Sequence, residues 1–151
     1  MTCPFCEIVA GRAPASIIHQ DDATMAFMTL RPFAAGECTV IPREHIDHFT
    51  DVPDEVAQRI MTIAQRIGRR MRETFTPERI GMVVHGYGVP HAHLVVVPQN
   101  GPHDITSAHY ARIEGGQLTF TNRHLSFTPR ATLDEHARLL GEPLDRQPNE
   151  R

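Results

Sequence analysis

A chain of 151 residues with 40% hydrophobic content can bury one core without disulfides and falls in the size range of a single domain. Its formal charge of -3 excludes a global attraction for nucleic acid or an anionic membrane, so any phosphate site must be built locally. All 15 basic residues are arginines, which excludes Schiff-base chemistry and any phosphate loop that relies on a lysine.

The opening MTCPFCEIVAGR lacks the charged-then-apolar order of a signal peptide, and no apolar run approaches the roughly 20 residues of a membrane span. An odd count of 3 cysteines argues against a disulfide framework. Together these predict a soluble, cytoplasmic protein with no membrane partner.

Residues 4 to 10 read as a short helix ended by Gly11. Ser16 to His19 and Met25 to Met28 form a hairpin around Asp21 and Asp22, and the β-branched run Cys38 to Pro42 is a third strand. Arg43 to His48 is a loop that places His45 just past a strand end. From Pro53 to Thr74, apolar residues recur at Val56, Ile60, Ile63, Ala64, Ile67 and Met71, the spacing of an amphipathic helix. Asp54 and Glu55 in its first turn and Arg69, Arg70 and Arg72 in its last suit the helix dipole, so the arginines read as a solvated face and no nucleic-acid partner is expected.

Ile80 to Val84 and His91 to Val97 are two further strands on either side of His85-Gly-Tyr-Gly88. Five antiparallel strands with one long helix and a short N-terminal helix make an α+β domain. Beyond Pro98, Gly115-Gly116 marks a two-residue hairpin, and Thr132-Leu-Asp-Glu135 reads as a capping box that opens a short helix ending at Gly141. The expected organisation is one domain over 1–140, with a core at 3–98 and an extension at 99–140, followed by a polar tail over 141–151.

Chemistry concentrates at two places. In a strand beginning at His91, the side chains of His91, His93, Val95 and Val97 share one face, so two imidazoles stand side by side. Such a pair can bind a metal, relay a proton, or let one ring act as nucleophile while the other fixes its tautomer. With 10 histidines in the chain, an accidental pair competes with all three. Gly86 and Gly88 leave backbone N–H groups free to approach a phosphate, or serve only a tight turn. Cys3 and Cys6, at i and i+3 of the short helix, offer half a tetrahedral zinc site, which His45 and one of the paired histidines can complete; free structural thiols and redox chemistry are the alternatives. Cys38, in an apolar strand, reads as a buried small hydrophobe.

The segments Cys3 to Gly11, Ala26 to Pro32, Thr39 to His45 and Val89 to Pro98 together resemble the histidine-triad (HIT) family, bacterial type with an N-terminal CxxC, over most of residues 3 to 98. The resemblance implies a two-layer HIT-like fold, a homodimer, and a nucleotide-binding hydrolase or transferase acting on the α-phosphate of nucleoside phosphoramidates or dinucleoside polyphosphates. It implies His93 as the nucleophile that forms a nucleotidyl-histidine, His91 as its orienting partner, and His45 as an additional histidine near the site. It implies structural zinc on Cys3, Cys6, His45 and His91, with no organic cofactor. It places Thr29 at the ribose and His93 at the phosphate; with Gly86 and Gly88, glycines that a phosphate can approach, and His85, which can compensate for Thr29, these are the expected nucleotide contacts.

The chain departs from the family pattern twice. Val95 stands where the third histidine belongs, and a valine donates no hydrogen bond to a phosphate or leaving group; losing such a group costs about 10²- to 10⁴-fold in rate. Thr29 stands where relatives present an acidic or amide residue to the ribose. These departures set up the competing reading of a weakly active or inactive nucleotide-binding, zinc-stabilised protein.

Overall fold

The computed structural model describes residues 2–141; residues 142–151, most of the expected polar tail, lie outside the described residues. Its main sheet has five antiparallel strands, β1 (Ile17–Gln20), β2 (Thr24–Met28), β3 (Cys38–Pro42), β4 (Arg79–Val84) and β5 (Leu94–Gln99), in the order β1-β2-β3-β5-β4. The helices are α1 (Pro4–Val9), α2 (Asp54–Phe75) and α3 (Arg130–Gly141), and a separate hairpin pairs β6 (Ala111–Glu114) with β7 (Gln117–Phe120).

The apolar stripe of α2 does what its spacing predicts. Ile60, Ile63, Ala64, Ile67 and Met71 are buried against Ala26, Val40, Leu94 and Val96 of the sheet. Burying each large side chain contributes about 1.5–3 kcal/mol relative to exposure. Leu133, Ala137 and Leu140 of α3 join the same core, so the second half of the extension packs onto the first hundred residues. Arg70 Nε reinforces this by donating to the Leu139 carbonyl at 2.9 Å. The opposite face of the sheet carries a smaller cluster, Met25, Phe27 and Ile41, covered by Phe5, Ile8 and Val9 of the α1 segment. The CxxC helix is thereby fixed to one face while α2 and α3 cover the other. No helix among the described residues is long and apolar enough to cross a membrane.

Two local expectations are corrected. The fifth strand begins at Leu94, not at His91. Pro90 lacks an N–H for a ladder; the His91 N–H donates to the Val89 carbonyl at 2.8 Å and the Ala92 N–H to the Ile46 carbonyl at 2.6 Å. The paired histidines therefore sit in a turn tied to the His45 loop rather than on an alternating strand. The last helix begins at Arg130, because the Pro129 carbonyl accepts the N–H groups of Thr132 and Leu133, so Thr132 lies in the first turn and does not cap it. The Gly115-Gly116 turn forms as expected, both residues at positive φ (59° and 80°), the conformation of a tight hairpin.

The segment between the sheet and α3 drapes over the loop that follows β2. Phe33 stacks on His109 with ring centroids 3.7 Å apart, the Arg31 guanidinium lies 3.9 Å from the Phe127 ring centroid, and the Thr128 N–H donates to the Leu30 carbonyl at 3.0 Å. His124 Nε2 donates to the His109 carbonyl at 2.7 Å, so two of the histidines between 103 and 124 hold this cover together.

Candidate functional site

Cys3 and Cys6 flank Phe5 at the start of α1, where Pro4 begins the helix and Cys3 precedes it. Phe5 packs edge-on against Phe27 at 5.2 Å, which presses both thiols toward the end of β3. There the Cys3 Sγ lies 3.5 Å from His91 Nδ1, and the Cys6 Sγ lies 3.3 Å from His45 Nδ1 and 3.7 Å from His91 Nδ1. The four ligand atoms all lie within 4.8 Å of one another. A tetrahedral ion with Zn–S near 2.3 Å and Zn–N near 2.0 Å holds its sulfur and nitrogen ligands about 3.5 Å apart, so the donor set matches in both chemistry and spacing.

The far side of His91 completes the arrangement. Its ring is fully buried, and Nε2 lies 2.8 Å from the Pro42 carbonyl oxygen. A carbonyl only accepts, so Nε2 carries the proton and Nδ1 turns a lone pair toward the thiols, the orientation a metal-ligating histidine needs. Burial, and with it the neighbouring rings of His45 and His93, holds His91 below its ordinary titration range, against the opposing hydrogen bond to the Pro42 carbonyl. Burial and then the adjacent Cys3 push the Cys6 thiol up. Two neighbouring thiols resist ionising together, and a cation between them reverses that balance. Cys38 is fully buried, with its thiol also pushed up by burial, as its apolar setting predicts.

His93 faces the other way. Its Nδ1 lies 2.7 Å from the His91 carbonyl oxygen, so Nδ1–H donates and Nε2 is left with a free lone pair. His91 is the expected orienting partner of His93; the contact between them is made by the His91 backbone carbonyl, while its ring is turned toward Pro42 and the thiols. Phe5 touches both rings edge-on, at 5.7 Å from each. His93 lines an open cleft with His85, Gly86, Val89, His48 and Asp47.

The expected site residues thus divide. Cys3, Cys6, His45 and His91 converge on one point, and His93, His85 and Gly86 share the cleft beside it. Gly88, at φ 101°, makes the turn that returns the chain to Val89. Thr29 stands apart: it follows β2, its N–H donates to the Glu37 carbonyl at 3.1 Å, and its hydroxyl bonds the buried Glu37 carboxylate. Phe5, Asp47 and His48 were not singled out from the sequence. Phe5 was visible only as an apolar residue between two cysteines, and nothing local in the sequence marks Asp47 or His48.

A two-layer α+β domain whose sheet ends in a histidine turn, with a thiol and imidazole cluster behind it, defines the class. The HIT domain model matches residues 10–101, and the chain belongs to the HIT family. An uncharacterized HIT-like protein of Mycobacterium tuberculosis is 36% identical over 107 residues, covering 67% of this chain and 74% of that protein. The adenosine 5'-monophosphoramidase of Saccharomyces cerevisiae is 29% identical over 99 residues, covering 64% of this chain and 62% of its own. The solved structure of a Zn-bound histidine triad family protein from Mycobacterium smegmatis superposes with a TM-score of 0.69 at 31% identity, covering 95% of this chain and 94% of that one.

Proposed function

We propose that this protein is a nucleotide-binding hydrolase or transferase in which His93 Nε2 attacks the α-phosphate of a nucleoside phosphoramidate or dinucleoside polyphosphate. The observation that carries this reading is the 2.7 Å contact between His93 Nδ1 and the His91 carbonyl. It fixes the tautomer with Nε2 unprotonated and restrains the ring at the edge of an open cleft, so the nucleophile is pre-set before substrate arrives. As phosphorus bonds to Nε2, positive charge spreads onto the ring, and the His91 carbonyl dipole stabilises the Nδ1–H it already holds. His91 is a positioning residue through its backbone. Gly86 lines the cleft beside His93, and the space next to its Cα is open. The phosphoramidase relative in yeast supports the substrate class.

Cys3, Cys6, His45 and His91 hold zinc in this reading, and the zinc-bound mycobacterial relative supports it. An ion held there would have four protein donors, as in a structural site, and would tie α1 to the histidine turn. His45 serves the metal, and its contribution to catalysis is to keep the His91 ring in place. The protein acts as a cytoplasmic homodimer in this reading, and native mass tests the pairing.

Val95 motivates a second reading, nucleotide binding without turnover, because it brings no polar atom to the reaction. Intact-protein mass after brief mixing with an adenosine phosphoramidate separates the two. An adenylate-sized adduct absent from His93→Ala supports covalent chemistry; unmodified protein with unconsumed substrate favours binding alone.

A further inference from the structure

The register of the sheet answers the loss at Val95. The β4–β5 ladder pairs Val83 with Val95 and Val84 with Leu94. Continued one step beyond the last pair, the same antiparallel register would set His85 opposite His93. Residues directly opposite across such a ladder share a face, with Cβ atoms about 4.5–5.5 Å apart. The strands part at this point, yet His85 and His93 both line the same cleft, whereas Val95 does not reach it. The His85 ring is exposed and anchored at one nitrogen only, by two groups of Tyr87: its N–H donates to Nδ1 at 3.3 Å when that nitrogen is unprotonated, and its carbonyl oxygen, 3.4 Å from Nδ1, accepts from it when it carries a proton. In the protonated ring, with Nδ1–H on that carbonyl, Nε2 carries the proton that can be given up on the cleft side.

We propose that His85 is the acid–base residue of this site and supplies the proton transfer that position 95 does not. In the first step His93 Nε2 bonds to phosphorus and the bond from phosphorus to the leaving nitrogen or oxygen breaks. The departing atom takes the electron pair and receives a proton from Nε2 of protonated His85, while Nδ1–H stays on the Tyr87 carbonyl. In the second step water attacks phosphorus, its proton passes to the now neutral His85 Nε2, and the phosphorus–nitrogen bond electrons return to His93. His85 ends protonated, as it began. His48 also lines the cleft, but it lies on the loop before α2 with no register relation to His93.

This inference rests on the nucleotidyl-histidine reading, and two substrates separate their failures. An adenosine 5'-phosphoramidate releases an amine that needs a proton; the 4-nitrophenyl ester of adenosine 5'-phosphate releases a stable anion that does not. Intact mass and product release are followed for wild type, His85→Ala and His85→Gln. We expect both variants to lose about 10²- to 10⁴-fold in turnover of the phosphoramidate. The loss in adenylation rate with the aryl ester should be at least about tenfold smaller than with the phosphoramidate, circular dichroism and the melting curve report the fold, and the adduct should then accumulate because its hydrolysis is slowed. Added imidazole should restore phosphoramidate turnover to His85→Ala. Equal losses of adduct formation with both substrates would overturn the assignment and reduce His85 to a binding contact. Wild-type protein that forms no His93 adduct with either substrate would overturn the underlying reading as well.

Discussion

His93 Nδ1 lies 2.7 Å from the carbonyl oxygen of His91, while the ring of His91 turns away to Pro42 and the two thiols. One residue therefore holds the candidate nucleophile with its backbone and faces the candidate metal with its side chain. The distance between the two chemistries is a single residue, so disorder at the cysteine cluster is expected to reach His93 directly.

That coupling gives the first prediction. Replacing Cys3 and Cys6 together by serine should abolish stoichiometric zinc and lower the melting temperature by on the order of 10 °C, since a metal at about a thousand times its dissociation constant adds about 4 kcal/mol and each kcal/mol moves Tm by about 2–4 °C at this chain length. Metal content of purified, zinc-loaded protein and a melting curve with and without chelator check it. Wild-type protein that melts identically in chelator would contradict a structural metal.

The loop between β2 and β3 yields the second. Gly36 has φ 101°, and a Cβ there would stand 2.8 Å from the Phe75 ring at the end of α2. Gly36→Ala should cost about 1–3 kcal/mol from backbone strain and the displaced ring. Denaturant unfolding of the single variant and of a double variant with Phe75→Leu separates the two sources, because the double variant relieves only the clash.

Much of this architecture was legible in the residues themselves. The α2 stripe from Ile60 to Met71 is set by a single burial face, and the Gly115-Gly116 turn by a backbone conformation few other residues accept. The convergence of Cys3, Cys6, His45 and His91 was expected from resemblance, and their distances now give it a geometry. What could not be read was the part made by backbone groups. The carbonyls of Pro42, His91 and Ile46 fix the two imidazoles and pull the strand start back to Leu94, and a carbonyl has no residue type to announce it. The meeting of His85 and His93 in one cleft likewise depends on the β4–β5 register, which periodicity alone does not set.

The third prediction concerns pH. Glu37 is buried, with its carboxyl raised above the ordinary range chiefly by burial, against which the hydrogen bonds from the Phe33 N–H and the Thr29 hydroxyl work. A carboxyl whose folded pKa is raised stabilises the fold while both states are protonated, and that contribution is lost as pH rises through the folded value. Stability of wild type relative to Glu37→Gln should therefore fall as pH climbs from the ordinary carboxylate range through the raised one. Denaturant midpoints of both proteins between acid and neutral pH measure the difference. A constant difference would mean that Glu37 titrates as it does in the unfolded chain.

The central claim is that His93 Nε2 forms a bond to phosphorus despite the valine at position 95. Wild type and His93→Ala are mixed briefly with an adenosine 5'-phosphoramidate, quenched, and weighed intact, with peptide mapping of any adduct. The account predicts an adenylate-sized mass gain on the peptide carrying His93 in wild type and none in the variant. Substrate consumed equally by both proteins, or left untouched by wild type over hours, would contradict it.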